Sequence, residues 1–169
     1  MKNTISVVLL SFFFCLSALS NAADKGDQAP SISLAGLSGA EAGETVNLAD
    51  YQGKLVYLDF WASWCGPCRQ SLPALNELRN TLNSEDFEVV AINVDENLDD
   101  ALGFLENHPV DYPILLDPEG SSPELFAIPG MPSAYLISPE GEILYKHVGF
   151  RRGDAEKIEL LVNHYLMEL

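Results

Sequence analysis

Apolar and polar positions divide the chain into segments of different period. From Leu55 to Trp61 (LVYLDFW) the run is almost continuously apolar, interrupted only by Asp59. Such a run predicts a central strand buried on both faces. Phe87 to Val94 (FEVVAINV) predicts a second, and Ala134 to Ile137 a third. Between the first two, Leu72, Leu75, Leu78 and Leu82 recur at helical spacing, predicting a helix from Cys65 to Asn83 that Pro73 should kink. Asp99 to Asn107 reads as a helix with Ala101, Phe104 and Leu105 on one face. Tyr112 to Leu116 reads as a short strand, and Pro123 to Phe126 as a helical turn. Pro139-Glu140-Gly141-Glu142 is a hairpin turn, and Ile143 to Val148 the returning strand. Asp154 is placed to cap a last helix through Leu166, with Ile158, Leu161, Val162 and Tyr165 inward. Before the first main strand, Lys25 to Ala40 is polar and irregular, Glu41 to Thr45 a turn, and Val46 to Leu48 a short strand. The order of strands and helices predicts one α/β domain, with a mixed sheet and helices on both faces.

The first 22 residues follow another pattern. Lys2 precedes an apolar run from Ile5 to Leu19, and Ser20-Asn21-Ala22 then places small residues where a signal peptidase reads. The run is shorter than a spanning helix needs. The expectation is therefore a cleavable secretory signal over 1–22, a mature domain over 23–169 and a periplasmic location. The alternative is that the same segment is retained as a membrane anchor. A lipidated Cys15 is disfavoured by Phe14 before it and by the apolar residues after it. The formal net charge of -16 excludes a basic nucleic-acid footprint and gives no attraction to an anionic membrane surface.

The same segment governs the cysteines. With Cys15 removed, Cys65 and Cys68 remain, separated by two residues, in a compartment where disulfides persist. A Cys-x-x-Cys pair can be half a zinc site or a redox couple. Zinc needs four ligands, and His108, His147 and His164 are scattered without ligand spacing. The pair follows a buried strand and opens a helix. There the macrodipole and free N–H groups favour a thiolate. Cys65 is expected to be the exposed attacking sulfur and Cys68 the buried resolving one. Pro67 at the first turn has no N–H to leave unpaired.

Trp61-Ala62-Ser63-Trp64-Cys65-Gly66-Pro67-Cys68-Arg69 resembles the active site of the thioredoxin superfamily. The features from Gly26 to Pro30 and from Leu48 to Lys54, with an extra helix and strand over about 97–126, are similar to its TlpA/ResA/DsbE-like extracytoplasmic group. The resemblance covers roughly Gly26 to Leu166. It implies a thioredoxin fold with an N-terminal extension and a helix–strand insertion between the second and third main strands. It also implies dithiol–disulfide exchange at Cys65 and Cys68, with Asp59 moving the Cys68 proton. Trp64 should pack beside the disulfide. Trp64, Gly66, Pro67, Met131 and Pro132 should meet the substrate, with Pro132 in cis and the Met131 backbone pairing with a client segment. Met131 departs from the Thr, Val or Ile usual there. Partners implied are protein disulfides or dithiols and a membrane electron donor, for a monomer with no metal or organic cofactor. Reduction of protein disulfides, as in cytochrome c maturation, is the activity the group suggests.

Two rivals stand beside this reading. A peroxiredoxin-type peroxidase would want a Thr three residues before its cysteine, where this chain has Ala62. A non-catalytic binding or chaperone module would keep the fold and not use the thiols.

Overall fold

The computed structural model describes residues 23–37 and 42–169. The expected signal segment, its cleavage point and the anchor alternative lie outside the described residues, as does Glu41 of the expected turn. Among the described residues no helix is long and apolar enough to cross a membrane.

Seven strands form one mixed sheet: β1 (Ser33–Gly36), β2 (Thr45–Asn47), β3 (Leu55–Trp61), β4 (Phe87–Asn93), β5 (Ile114–Leu116), β6 (Ser133–Ile137) and β7 (Ile143–Val148). Their spatial order is β2-β1-β5-β4-β3-β6-β7. β3, β4 and β5 run parallel, and every other pairing is antiparallel. The helices are α1 (Cys68–Thr81), α2 (Leu98–Asn107), α3 (Ser121–Leu125) and α4 (Asp154–Leu166), with a one-turn 3-10 helix at Leu48–Tyr51.

The pleat sorts the core. Alternate residues of β3 go to opposite faces. Leu55, Tyr57 and Trp61 join a cluster with Leu72, Leu75 and Leu78 of α1, Ala101 and Phe104 of α2, and Ile158 and Val162 of α4. Val56, Leu58 and Phe60 join a second cluster, covered by Ile32, Tyr51 of the 3-10 helix and Phe126 at the end of α3. Helices thus serve both faces. α1 and α2 share a face because the parallel crossovers β3-α1-β4 and β4-α2-β5 continue in one direction across the sheet. The insertion is present as α2, β5 and α3. Its strand β5 lies between β4 and β1, and so couples the N-terminal extension to the sheet.

Three expectations need correction. The segment read as irregular contains β1, which is held by antiparallel pairing to both β2 and β5. The helix expected from Cys65 begins at Cys68. The preceding residues form tighter turns, with Cys68 N–H donating to the Cys65 carbonyl (3.2 Å) and Arg69 N–H to that of Gly66 (3.3 Å). Asp154 is the first residue of α4 and not its cap. Its carboxylate accepts the Arg151 N–H (2.8 Å) and the Lys157 ammonium (2.9 Å), while Gly153 turns the chain at φ 86°.

Candidate active site

β3 ends at Trp61 and the chain turns through Ala62 to Cys65, where the Cys65 N–H donates to the Ala62 carbonyl (3.1 Å). Cys65 and Cys68 are joined by a disulfide. The Cys68 N–H donates to Cys65 Sγ at 3.3 Å, so a backbone donor at the start of α1 already faces the first sulfur. A donor there, with the positive end of a 14-residue helix, favours charge on that sulfur once the bond is reduced. Pro73, inside α1, has no N–H to offer the carbonyl four residues back.

Cys65 is 3% exposed and Cys68 0%. The order of accessibility is as expected, but Cys65 is not an exposed residue: in the disulfide state both belong to the apolar cluster under α1. Trp64, expected to pack beside the disulfide, is instead 69% exposed. Gly66 and Pro67 are also exposed, and nothing lies within 4 Å of where a Gly66 side chain would start. The turn therefore presents a bare backbone and one large aromatic face to solvent.

Asp59 is 2% exposed in the middle of β3. It stands on the same face as Tyr57 and Trp61, the face that holds Cys68. Its neighbours across the sheet are Ala91 of β4 and Ala134 of β6, the smallest side chains that could flank it. Its Oδ2 has no hydrogen-bond partner among the described residues. Burial pushes the Asp59 carboxyl well above the ordinary carboxylate range. An acid in this state takes up and releases a proton nearer neutrality than a surface aspartate does.

The loop before β6 brings Met131 against the apolar cluster that holds both cysteines. The Met131–Pro132 peptide is cis, as the resemblance implied. Pro132 is buried and Met131 half-buried. The Pro132 carbonyl accepts the Gly149 N–H (2.8 Å), and Ser133 Oγ donates to the Gly130 carbonyl (2.6 Å).

Sequence reasoning missed Ser63, Asn93 and Asp95. The Ser63 N–H and Oγ donate to the two oxygens of Asp95, each at 2.9 Å. Asn93 Nδ2 donates to Asp95 Oδ2 (2.7 Å), and the Asp95 N–H returns to Asn93 Oδ1 (3.1 Å). The available signal was Asn93-Val94-Asp95, two acceptor-bearing side chains closing a buried strand at the carboxyl end of a parallel sheet, where open α/β sheets place their sites. The three histidines have other surroundings: His108 stacks on Phe104, His147 Nε2 lies 3.6 Å from Asp154, and His164 Nε2 lies 3.6 Å from Glu168. Among the described residues no group of three His, Cys, Asp or Glu side chains could hold a metal.

The family model described as Redoxin matches residues 24–160. The chain belongs to the Redoxin family. It is 35% identical over 118 residues to the thiol-disulfide oxidoreductase ResA of Oceanobacillus iheyensis, covering 70% of this chain and 62% of that protein. It is 31% identical over 102 residues to the ResA of Bacillus subtilis, covering 60% and 57%. The chain thus spans about three-fifths of the length of these curated relatives. Among solved structures it is similar to the Chlorobium tepidum protein described as a thiol:disulfide interchange protein DsbE. That likeness has 43% identity and a TM-score of 0.80 over 86% of this chain and 99% of the other. The likeness therefore reaches well beyond the Trp61–Arg69 motif, with the family match running over residues 24–160.

Proposed function

We propose that this protein is an extracytoplasmic reductase of protein disulfides, working through Cys65 and Cys68. The observation that carries the reading is the site's construction: a vicinal cysteine pair at the start of α1, with a buried acid on the sheet face that packs against it. The similarity to proteins named thiol-disulfide oxidoreductase supports it.

The reaction starts from the dithiol. The Cys65 thiolate attacks one sulfur of a client disulfide, forming a Cys65–client bond and releasing the client's other sulfur as a thiolate. The Cys68 thiol then passes its proton to the Asp59 carboxylate. The Cys68 sulfur attacks Cys65 Sγ and the client leaves as its second thiolate. The protein is left with the Cys65–Cys68 disulfide seen here, oxidised by two electrons, while the client is reduced by two. A dithiol donor returns those electrons. Trp64 and the exposed Gly66-Pro67 backbone meet the client on one side, and Met131 and Pro132 on the other. The extracytoplasmic setting rests on the leader-like residues 1–22. A membrane electron donor and a place in cytochrome c maturation rest on the family resemblance.

Replacing Cys68 by Ser removes the resolving step, so client proteins should accumulate as mixed disulfides on Cys65. These would be visible on non-reducing gels and lost in a Cys65→Ser, Cys68→Ser protein. Client binding that persists without any trapped disulfide points instead to a non-catalytic module. Equilibration against glutathione tests direction: a potential close to those of strong oxidants refutes a reductase.

A further inference from the structure

The turn that presents Cys65 is fastened at one point to a buried anion. The Cys65 N–H closes the turn on the Ala62 carbonyl, with Ser63 and Trp64 as its central residues. Ser63 is bound through both its N–H and its hydroxyl to the Asp95 carboxylate. Asp95 is 6% exposed and Asn93 1%. Asn93 braces the carboxylate with its side-chain amide, while its backbone carbonyl accepts the Asp117 N–H (2.9 Å). The Val94 N–H donates to the Trp61 carbonyl (3.1 Å), so the ends of β3 and β4 are locked together where the turn departs.

We propose that Asp95 is a positioning residue for the exchange reaction, which fixes the Ser63 turn and, as a buried anion beside it, disfavours the Cys65 thiolate. This rests on the thiol-exchange reading above and extends it to the strength of the couple. A charge shielded from water acts over longer distances than one on the surface. Destabilising the thiolate destabilises the reduced protein and makes the dithiol a stronger reductant. The opposing influences are the Cys68 N–H, the start of α1 and the Arg69 guanidinium one residue beyond Cys68. Asp59 faces the cluster from β3. Arg69, Asp100 and His108 line, with Ser63, a cleft of about 410 Å³ between the turn and α2. All of these remain when Asp95 alone is changed.

The test uses the full chain. Cys65 is titrated in reduced wild-type protein and in Asp95→Asn by thiolate absorbance. Both are then equilibrated with glutathione, in which two glutathione thiols reduce the protein disulfide and become one glutathione disulfide. Asp95→Asn should lower the Cys65 midpoint by about half a pH unit or more and shift the equilibrium toward the dithiol protein. Ser63→Ala keeps the charge and the N–H bond but loses the hydroxyl bond. It should leave the midpoint within experimental error while slowing insulin reduction severalfold. An unchanged or raised midpoint in Asp95→Asn overturns the proposal. If that variant does not fold, wild-type turnover in Ser63→Ala overturns it. The titration needs no client, so failure of wild-type protein to reduce insulin would count against the exchange reading and leave this inference to the midpoints.

Discussion

Replacing Asp59 by Asn isolates what its burial does. The two side chains are nearly the same size, and Asp59 Oδ2 has no partner to lose. Unfolded, the carboxyl titrates at about pH 4. Folded, burial holds its proton to higher pH. Between the two, the folded state binds one more proton than the unfolded state. Stability from this group is therefore fully present below about pH 4 and is lost as pH rises through the raised value. For one proton the slope is about 1.4 kcal/mol per pH unit. Asn has no such slope, although its extra buried donors cost about 1–3 kcal/mol at every pH. The variant should therefore be the less stable protein in acid and gain on the wild type by about 1.4 kcal/mol for each pH unit across the window. The assay is guanidinium unfolding of both oxidised proteins from about pH 4 to about pH 8. In that form no thiol titrates, and groups common to both proteins cancel. Tyr57 and Tyr112, held above their ordinary value chiefly by burial, titrate above this range. A stability difference that stays flat across the range refutes the raised carboxyl, and with it the physical basis for Asp59 as the proton acceptor of Cys68.

The remaining predictions concern the frame around the site. Leu72→Ala empties a fully buried position under α1 and should cost about 2–5 kcal/mol in denaturant unfolding. Arg79→Met removes the bidentate partner of the buried Glu88, at 3.0 and 3.2 Å, leaving that carboxylate the Val89 N–H. It should cost about 1–3 kcal/mol at neutral pH by the same measurement. Tyr135→Phe strips the 2.6 Å donor from the Phe126 carbonyl, between α3 and the Pro132 loop. It should lower stability by about 1–3 kcal/mol, read from the denaturation midpoint.

The sheet's centre was legible because β3 and β4 are buried along their whole length and need an apolar residue at nearly every position. β1 was not. Its four residues, Ser-Leu-Ala-Gly, have no strong period, and its place comes from β2 and β5, distant in sequence. The cysteine pair was readable from its motif, and the cis Pro132 from the family resemblance. The burial of Cys65 was not, because it follows from packing under α1 in the disulfide state. Asp95 escaped for a related reason: a polar residue just past a strand looks like an ordinary loop residue until the fold brings Ser63 to it.

The buried carboxylates separate structure from chemistry more sharply than the motif does. Among the described residues these are Asp59, Glu88, Asp95, Asp117 and Asp154. Burying a charge is costly unless donors replace the lost water. Glu88 has Arg79, and Asp95 has Ser63 and Asn93. At Asp117 burial pushes the carboxyl up, but donors from Ser122 and Ser121 outweigh it and the net direction is downward. At Asp154 the Lys157 ammonium leads in holding the carboxyl below its ordinary value, against burial. The pushed-up Asp59 carboxyl has only burial acting on it, and its strand neighbours are two alanines that supply neither charge nor donor. A fold selected for stability alone would put an apolar residue there, as it does at Tyr57 and Trp61 on the same face. The places where a sequence breaks its own local rules without compensation are where function is expected. Here the break lies on the sheet face against which the Cys68 helix packs. That position is what supports the proposed role of Asp59 as the proton acceptor of Cys68.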